Sequence, residues 1–211
     1  MNANESIEVL MRKAGWSGYI LGCDEVGRGP LAGPATVACV AFPVALGADF
    51  ALFSQLDDSK KLSATKRNAL VPQIEASAAA YAVLDISPEE IDRRNILQAC
   101  LYGMKLAVAQ VVAALGDANV DNVHVIVDGN RQIPDLGFAQ TAYIKGDARA
   151  WSIAAASILA KVHRDALMVA YDAQYPGYGF AKNVGYPTAA HREALLRLGP
   201  TPIHRKSFKV K

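Results

Sequence analysis

Three apolar runs of this chain end at an acidic residue beside a glycine, and that pattern narrows the possible folds more than any other. Tyr19-Ile20-Leu21 leads through Gly22-Cys23 into Asp24-Glu25, followed by Val26-Gly27-Arg28-Gly29-Pro30. Val125-Ile126-Val127 runs into Asp128-Gly129-Asn130, and Ala142-Tyr143-Ile144 into Lys145-Gly146-Asp147. Short apolar runs closed by glycine read as buried strands. Strands lying side by side would gather Asp24, Glu25, Asp128 and Asp147 at one edge of a sheet. Carboxylates crowded together raise one another's pKa unless cations sit between them. Their oxygen donors suit a hard divalent ion, Mg²⁺ or Mn²⁺. Neighbours on a strand point to opposite faces, so Glu25 reaches the same place as Asp24 only because the strand ends and the chain turns at Gly27. The glycine-flanked Arg28 lets backbone and guanidinium come close to an anionic, hydroxyl-bearing substrate.

The rest of the chain alternates strand and helix signals. Tyr19–Asp24 and Ala35–Val44 read as strands joined by a Gly/Pro turn, Ala80–Ile86 as a third, then Val123–Asp128 and Thr141–Gly146. Helices are expected over Ser63–Ala76, Asn95–Leu115 and Ser152–Tyr171. Ser87-Pro88-Glu89-Glu90 is a helix start with Ser as cap, Pro at the first position and Glu closing a capping box. Thr188 caps a last helix to about Leu198, ended by Gly199-Pro200. No internal repeat or linker is evident. The expected class is α/β: a mixed five-stranded sheet flanked by helices, with a helical C-terminal extension. The division expected is an N-terminal extension over 1–17, a catalytic domain over 18–172 and a basic substrate-binding extension over 173–211.

Composition enters where it excludes alternatives. A chain of 211 residues, 52% of them hydrophobic, can bury a core and is not disordered. The uncharged stretch Gly29–Ala48 contains Pro30, Pro34 and Pro43 and makes a poor membrane helix. Residues 1–18 have no continuous apolar core of a signal peptide. Cys23, Cys39 and Cys100 are odd in number and lack metal-ligand spacing, which suits a reduced compartment. A cytoplasmic protein without membrane association is expected, and a monomer, because no coiled-coil stripe demands a dimer. The net charge of +2 hides an asymmetry. From Ala181 onward seven Lys or Arg face one acid, Glu193, leaving 15 bases and 19 acids for the remainder. A basic C-terminal region beside an acidic metal centre fits a protein that holds phosphates near carboxylates.

Read together, these segments resemble the ribonuclease HII family, the bacterial type 2 ribonucleases H, from about Gly18 to Phe208. The matching segments are Asp24-Glu25-Val26-Gly27-Arg28-Gly29-Pro30-Leu31, Asp58-Ser59-Lys60-Lys61-Leu62-Ser63, Glu90-Ile91-Asp92 with Asn95-Ile96-Leu97, Asp128-Gly129-Asn130 and Lys145-Gly146-Asp147. The pattern continues through Ala155-Ala156-Ser157-Ile158-Leu159-Ala160-Lys161-Val162, Tyr178-Gly179-Phe180 and Gly185-Tyr186-Pro187-Thr188. The resemblance implies a ribonuclease H fold and two-metal hydrolysis, with Asp24, Glu25, Asp128 and Asp147 as ligands for two Mg²⁺ or Mn²⁺ ions. The implied substrates are RNA–DNA hybrids and DNA duplexes containing ribonucleotides, cut to a 5′-phosphate and a 3′-hydroxyl. It also implies that Gly27, Arg28, Gly29 and Tyr186 detect the 2′-hydroxyl, the group that separates RNA from DNA. Ser59 and Lys60 are candidates to hold a substrate phosphate. One departure stands out: where the family commonly has His-Lys before Gly-Tyr-Pro-Thr, this chain has Asn183-Val184.

Other residues carry weaker signals. Asp165, beside Arg164 on a helix, reads as structural, and Asp57 and Asp58 as loop acids that orient Ser59 and Lys60. His124, His163, His191 and His204 are too scattered along the sequence for a zinc site. Gly27-x-Gly29 with Gly33 echoes a dinucleotide-binding loop, but Pro30 and Pro34 fall where its helix should run. Two further readings stay open: another nuclease of the ribonuclease H fold, such as a resolvase, and a non-catalytic nucleic-acid-binding domain on the same scaffold.

Overall fold

The computed structural model describes residues 6–44 and 50–209. Strands β1 (Tyr19–Val26), β2 (Ala35–Ala41), β3 (Ala80–Ile86), β4 (Val123–Asp128) and β5 (Ala139–Tyr143) form one sheet in the order β3-β2-β1-β4-β5. β1 lies at its centre, antiparallel to β2 and parallel to β4. The register sets Cys23 opposite Val127, so the next residues, Asp24 and Asp128, leave neighbouring strands at the same height and in the same direction. The mixed α/β sheet is the architecture expected from the alternating pattern.

Eight helices are described: α1 (Ile7–Lys13), α2 (Phe50–Phe53), α3 (Ala64–Ser77), α4 (Pro88–Arg94), α5 (Ile96–Leu115), α6 (Trp151–Gln174), α7 (Phe180–Asn183) and α8 (Ala189–Leu198). α5 covers one face of the sheet, where Leu21 and Cys23 pack with Met104, Ala107 and Val108. By length and composition α5 could cross a membrane, but its apolar side lies on the sheet. α6 covers the other face. Its run Ala154-Ala155-Ala156 is fully buried, and small side chains let its backbone come close to β1. The approach is tight at Gly22, where a Cβ would stand 2.4 Å from the Ser152 hydroxyl. Odd residues of β1 therefore face α5 and even residues face α6.

Several boundaries differ from expectation, each for a local reason. β1 continues to Val26, so Glu25 lies within the strand. β5 runs Ala139–Tyr143 rather than to Gly146, because Lys145 adopts φ 57° and the chain enters a 3-10 turn over Gly146–Ala148. Asp147 therefore sits in that turn and not at a strand end. Ser87 caps α4 through the Glu90 N–H at 3.2 Å, but the Glu90 carboxylate does not close a capping box. It pairs instead with Arg93 and Arg94. β2 ends at Ala41, and the last residues of the Gly29–Ala48 stretch, 45–48, lie outside the described residues.

Candidate active site

The site lies beyond the C-terminal ends of β1 and β4. Asp24, only 5% exposed, faces α6, where its carboxylate bonds the Ser157 hydroxyl and its Oδ1 accepts the Glu25 N–H at 2.7 Å. Ser157 Oγ lies 2.9 Å from the buried Ser59 Oγ. Glu25, on the opposite parity, turns along the sheet edge, and its Oε1 meets Arg28 Nη1 at 3.2 Å. Asp128 ends β4, and its Oδ1 accepts the Gly146 N–H at 2.7 Å, which ties the 3-10 turn carrying Asp147 to the strand. Gly146 fits closely there: a Cβ would stand 2.6 Å from Ile153 Cδ1 and 3.3 Å from Asp128 Oδ1. The strand-and-turn arrangement thus brings all four predicted acids to one end of the sheet.

Their electrostatics follow from that crowding. Burial raises the Asp24 carboxyl well above the ordinary range, and the nearby Glu25 and Asp128 raise it further. Burial lifts Glu25 to about 6 against the opposing pull of Arg28. Asp147 is raised by burial, then by Asp128 and Asp58, with Lys60 opposing. Lys60 is partly desolvated, yet Asp58, Asp24, Asp147 and Asp128 together hold its amine above the usual lysine value. Among the described residues no three His, Cys, Asp or Glu side chains stand close enough to form a metal cluster as they lie. Glu25 is turned onto Arg28 and Asp128 onto a backbone amide. The donor set nevertheless fits a hard cation: every donor is a carboxylate oxygen, and a cation would relieve the repulsion that raises these pKa values.

A cleft of about 370 Å³ opens over Asp24, Glu25 and Asp128. One wall is Gly27-Arg28-Gly29, and Tyr186, 43% exposed, lines the cleft beside it. The Tyr186 ring is 3.3 Å from where a Cβ on Gly29 would be, so ring and loop are packed together. Lys60 lines the cleft, while Ser59 is 1% exposed with its hydroxyl engaged by Ser157, so it acts on Asp24 through that serine. Asp58 accepts the Lys60 N–H at 2.9 Å and Asp57 pairs with Lys61 at 3.1 Å. Asp165 pairs with Lys161 at 2.6 Å. Asn183, at the position that departs from the family pattern, bonds Tyr178 O and the Gly185 N–H and so braces the turn before Tyr186.

Sequence reasoning passed over four residues. Ser157, Lys161 and Arg164 fall at i, i+4 and i+7 of α6, a polar stripe that begins within its buried Ala-rich first half. That spacing was the available signal. Arg164 and Arg205, both fully or nearly fully buried, bond the backbone of the segment after β1. Two of the four histidines, apparently scattered, meet in space: His191 Nε2 and His204 Nε2 are 3.2 Å apart and buried. His191 Nδ1 lies 2.9 Å from Tyr186 O, and Thr201 N–H donates to His204 Nδ1 at 2.9 Å.

Comparison with known proteins adds lineage to this geometry. The family model described as Ribonuclease HII matches residues 21–211. The chain is 48% identical over 195 residues to a ribonuclease HII of Chlorobium chlorochromatii, covering 92% of this chain and 90% of that protein. Among solved structures it is similar to one of a PCNA:RNase HII complex from Archaeoglobus fulgidus, at 27% identity and TM-score 0.70, covering 92% of this chain and 96% of that one. It is also similar to ribonuclease H2 from Pyrococcus horikoshii, at 26% identity and TM-score 0.68, covering 91% and 94%.

Proposed function

This chain belongs to the ribonuclease HII family and is a ribonuclease H, an endonuclease that degrades the RNA of RNA–DNA hybrids, and on that premise we propose that it also nicks DNA duplexes 5′ of single embedded ribonucleotides. The observation that carries the proposal is the joint placement of two features at one cleft: the carboxylates of Asp24, Glu25 and Asp128 at the ends of β1 and β4, with Asp147 on the turn tied to Asp128, and a Gly-Arg-Gly loop packed against Tyr186.

In this reading Asp24, Glu25, Asp128 and Asp147 hold divalent cations, Mg²⁺ or Mn²⁺. When bound, such ions activate a water and stabilise the leaving 3′ oxygen of an in-line displacement. The chain's own groups do the rest. Ser157, braced by Ser59, fixes the Asp24 carboxylate, and Gly146 N–H fixes that of Asp128. Arg28 leaves Glu25 to meet a phosphate, and Lys60 supplies a second cation on the cleft wall. Glycines at 27 and 29 let the main chain reach the 2′-hydroxyl, while the Tyr186 ring stacks on the neighbouring sugar. The products are a 5′-phosphate and a 3′-hydroxyl, and the role is ribonucleotide removal during DNA replication and repair. The basic segment 173–211 serves substrate binding, as its Tyr186 on the cleft wall supports. A monomer working in the cytoplasm completes the proposal, supported by three buried, unpaired cysteines.

The test is cleavage of an end-labelled DNA duplex carrying one ribonucleotide, beside an all-DNA duplex and a continuous RNA–DNA hybrid, with Mg²⁺, Mn²⁺ or EDTA. A metal-dependent nick 5′ of the ribonucleotide, with all-DNA duplex intact, is the expected result. Cleavage of the hybrid alone would remove the single-ribonucleotide activity and the role given to Tyr186.

A further inference from the structure

The loop after β1 is held from beneath by two buried guanidiniums whose partners are backbone carbonyls. Arg205 donates from Nη2 to Gly27 O at 2.6 Å, from Nη1 to Arg28 O at 3.1 Å and from Nε to Gly33 O at 2.9 Å. Arg164 donates from Nε to Pro34 O at 2.9 Å, from Nη2 to Ala32 O at 3.3 Å and from Nη1 to Val184 O at 3.0 Å. Neither arginine forms an ion pair among the described residues, although Arg164 is 0% and Arg205 3% exposed. Buried cations without a carboxylate partner are costly, and arginines in such places are ordinarily paired. Burial, and then the neighbouring Arg164, lowers Arg205 to about 10, which still leaves it charged at neutral pH.

The geometry has a direct consequence for the loop. In a trans peptide unit the carbonyl of one residue and the N–H of the next point in opposite directions. Arg205 draws the carbonyls of Gly27 and Arg28 inward, so the N–H groups of Arg28 and Gly29 point outward. No hydrogen bond among the described residues takes up either N–H, and both residues are exposed on the cleft wall. Gly27 has φ +93°, and a Cβ there would stand 2.3 Å from Arg164 Nε, so Arg164 also seals the loop's underside.

We infer that Arg205 and Arg164 are positioning residues for ribonucleotide recognition: Arg205 turns the Gly27 and Arg28 carbonyls away from the cleft so that the N–H groups of Arg28 and Gly29 face the substrate, and Arg164 closes the loop's underside and holds the segment that follows. Such a surface accepts a 2′ oxygen or a phosphate oxygen and offers a deoxyribose nothing. The two fixed positive charges beneath it add attraction for those oxygens, where Lys would supply charge without the planar fork that grips several carbonyls. This inference rests on the ribonucleotide reading of the cleft proposed above.

The test measures discrimination in binding, apart from turnover. Fluorescence anisotropy in EDTA compares a DNA duplex containing one ribonucleotide with the all-DNA duplex of the same sequence, for the full chain and for Arg205→Lys. The wild type should prefer the ribonucleotide duplex, and Arg205→Lys should lose about tenfold of that preference while its all-DNA affinity moves less than about twofold. A merely structural role would weaken both duplexes alike. Should Arg205→Lys fail to fold, Arg205→Gln, whose short amide cannot span the carbonyls of Gly27, Arg28 and Gly33 together, carries the same comparison. Retained preference in a folded variant overturns the positioning role and leaves the ribonucleotide reading intact. No preference in the wild type overturns both.

Discussion

Asp24 is a carboxylate almost out of reach of water, beside two other carboxylates, with one serine hydroxyl and the Glu25 N–H for help. Its folded pKa lies above the unfolded value, so the stability it contributes is present below the ordinary carboxylate range and lost as pH rises through the folded pKa. At neutral pH the protein without a bound cation is therefore destabilised at Asp24. Asp24→Asn keeps an oxygen for the Glu25 N–H and removes the charge. In EDTA at pH 7.5 it should raise Tm by on the order of 3–6 °C, and with Mg²⁺ or Mn²⁺ present its cleavage should fall at least about a thousandfold below wild type. A lower Tm in that melt would mean that the repulsion is not what burial and neighbours imply. Tyr186 behaves oppositely: exposed and outside the sheet, its loss should leave Tm within about 2 °C. Tyr186→Phe and Tyr186→Ala should both lower single-ribonucleotide cleavage by about tenfold or more, and unchanged junction cleavage in paired assays would refute that role. One acid closing an apolar run is an ordinary turn, and the acids were legible because three such runs, each with a glycine, occur in one chain. Arg164 and Arg205 were not, because their partners are carbonyls, and any residue supplies a carbonyl.

Helix α1 shows what pattern reading of elements leaves out. It lies before the first residue of the family match and carries no long periodic signal. Yet its Glu8 is 4% exposed and accepts both the N–H and the hydroxyl of Ser152 at the start of α6, at 2.9 and 2.8 Å. Ile7 N–H donates to Arg149 O at 2.9 Å, just past the turn that holds Asp147. Burial outweighs these bonds and raises the Glu8 pKa, so this group also favours the fold below the ordinary carboxylate range and disfavours it as pH rises. Glu8→Gln should match the wild-type Tm near pH 4 and exceed it by about 2–5 °C at pH 8. Parallel melts across that range decide it, and a constant difference would exclude ionisation as the cause. Strands β3 and β4 and the caps of α4 and α8 were readable because alternation and Ser, Thr or Gly punctuation are local. The end of β5 was not, since it depends on Asp128, eighteen residues away, taking the Gly146 N–H.

Across the whole molecule, the C-terminal segment is buttoned back onto the body. Arg205 bonds the loop after β1, and Asp92 on α4 accepts the N–H groups of Lys206 and Ser207 at 2.9 and 2.8 Å. His191 and His204 tie α8 to Thr201 and to the carbonyl of Tyr186. The bonds require both rings neutral: His191 donates from Nδ1, and His204 donates from Nε2 to its neighbour. Burial, and then His191, lowers His204 to about 4. A histidine depressed in the fold contributes stability above its unfolded pKa that is lost as pH falls toward the folded one, here between about 6.5 and 4. Hydrogen exchange should accordingly quicken in residues 178–208 on moving from pH 7 to pH 5, after correction for intrinsic rates, while β1 and β4 stay protected. Equal protection at both pH values would remove the pair from that role. Finally, β1 and β4 touch only after the intervening β2, α2, α3, β3, α4 and α5 have been laid down between them in the chain. Parallel pairing over such a separation closes slowly, because loop entropy must be overcome before contacts repay it. The Asp24–Asp128 pairing is thus a product of completed folding. A half-made chain emerging from synthesis carries more acids than bases, because the basic segment from Ala181 onward comes last, and it holds Asp24 without Asp128 beside it.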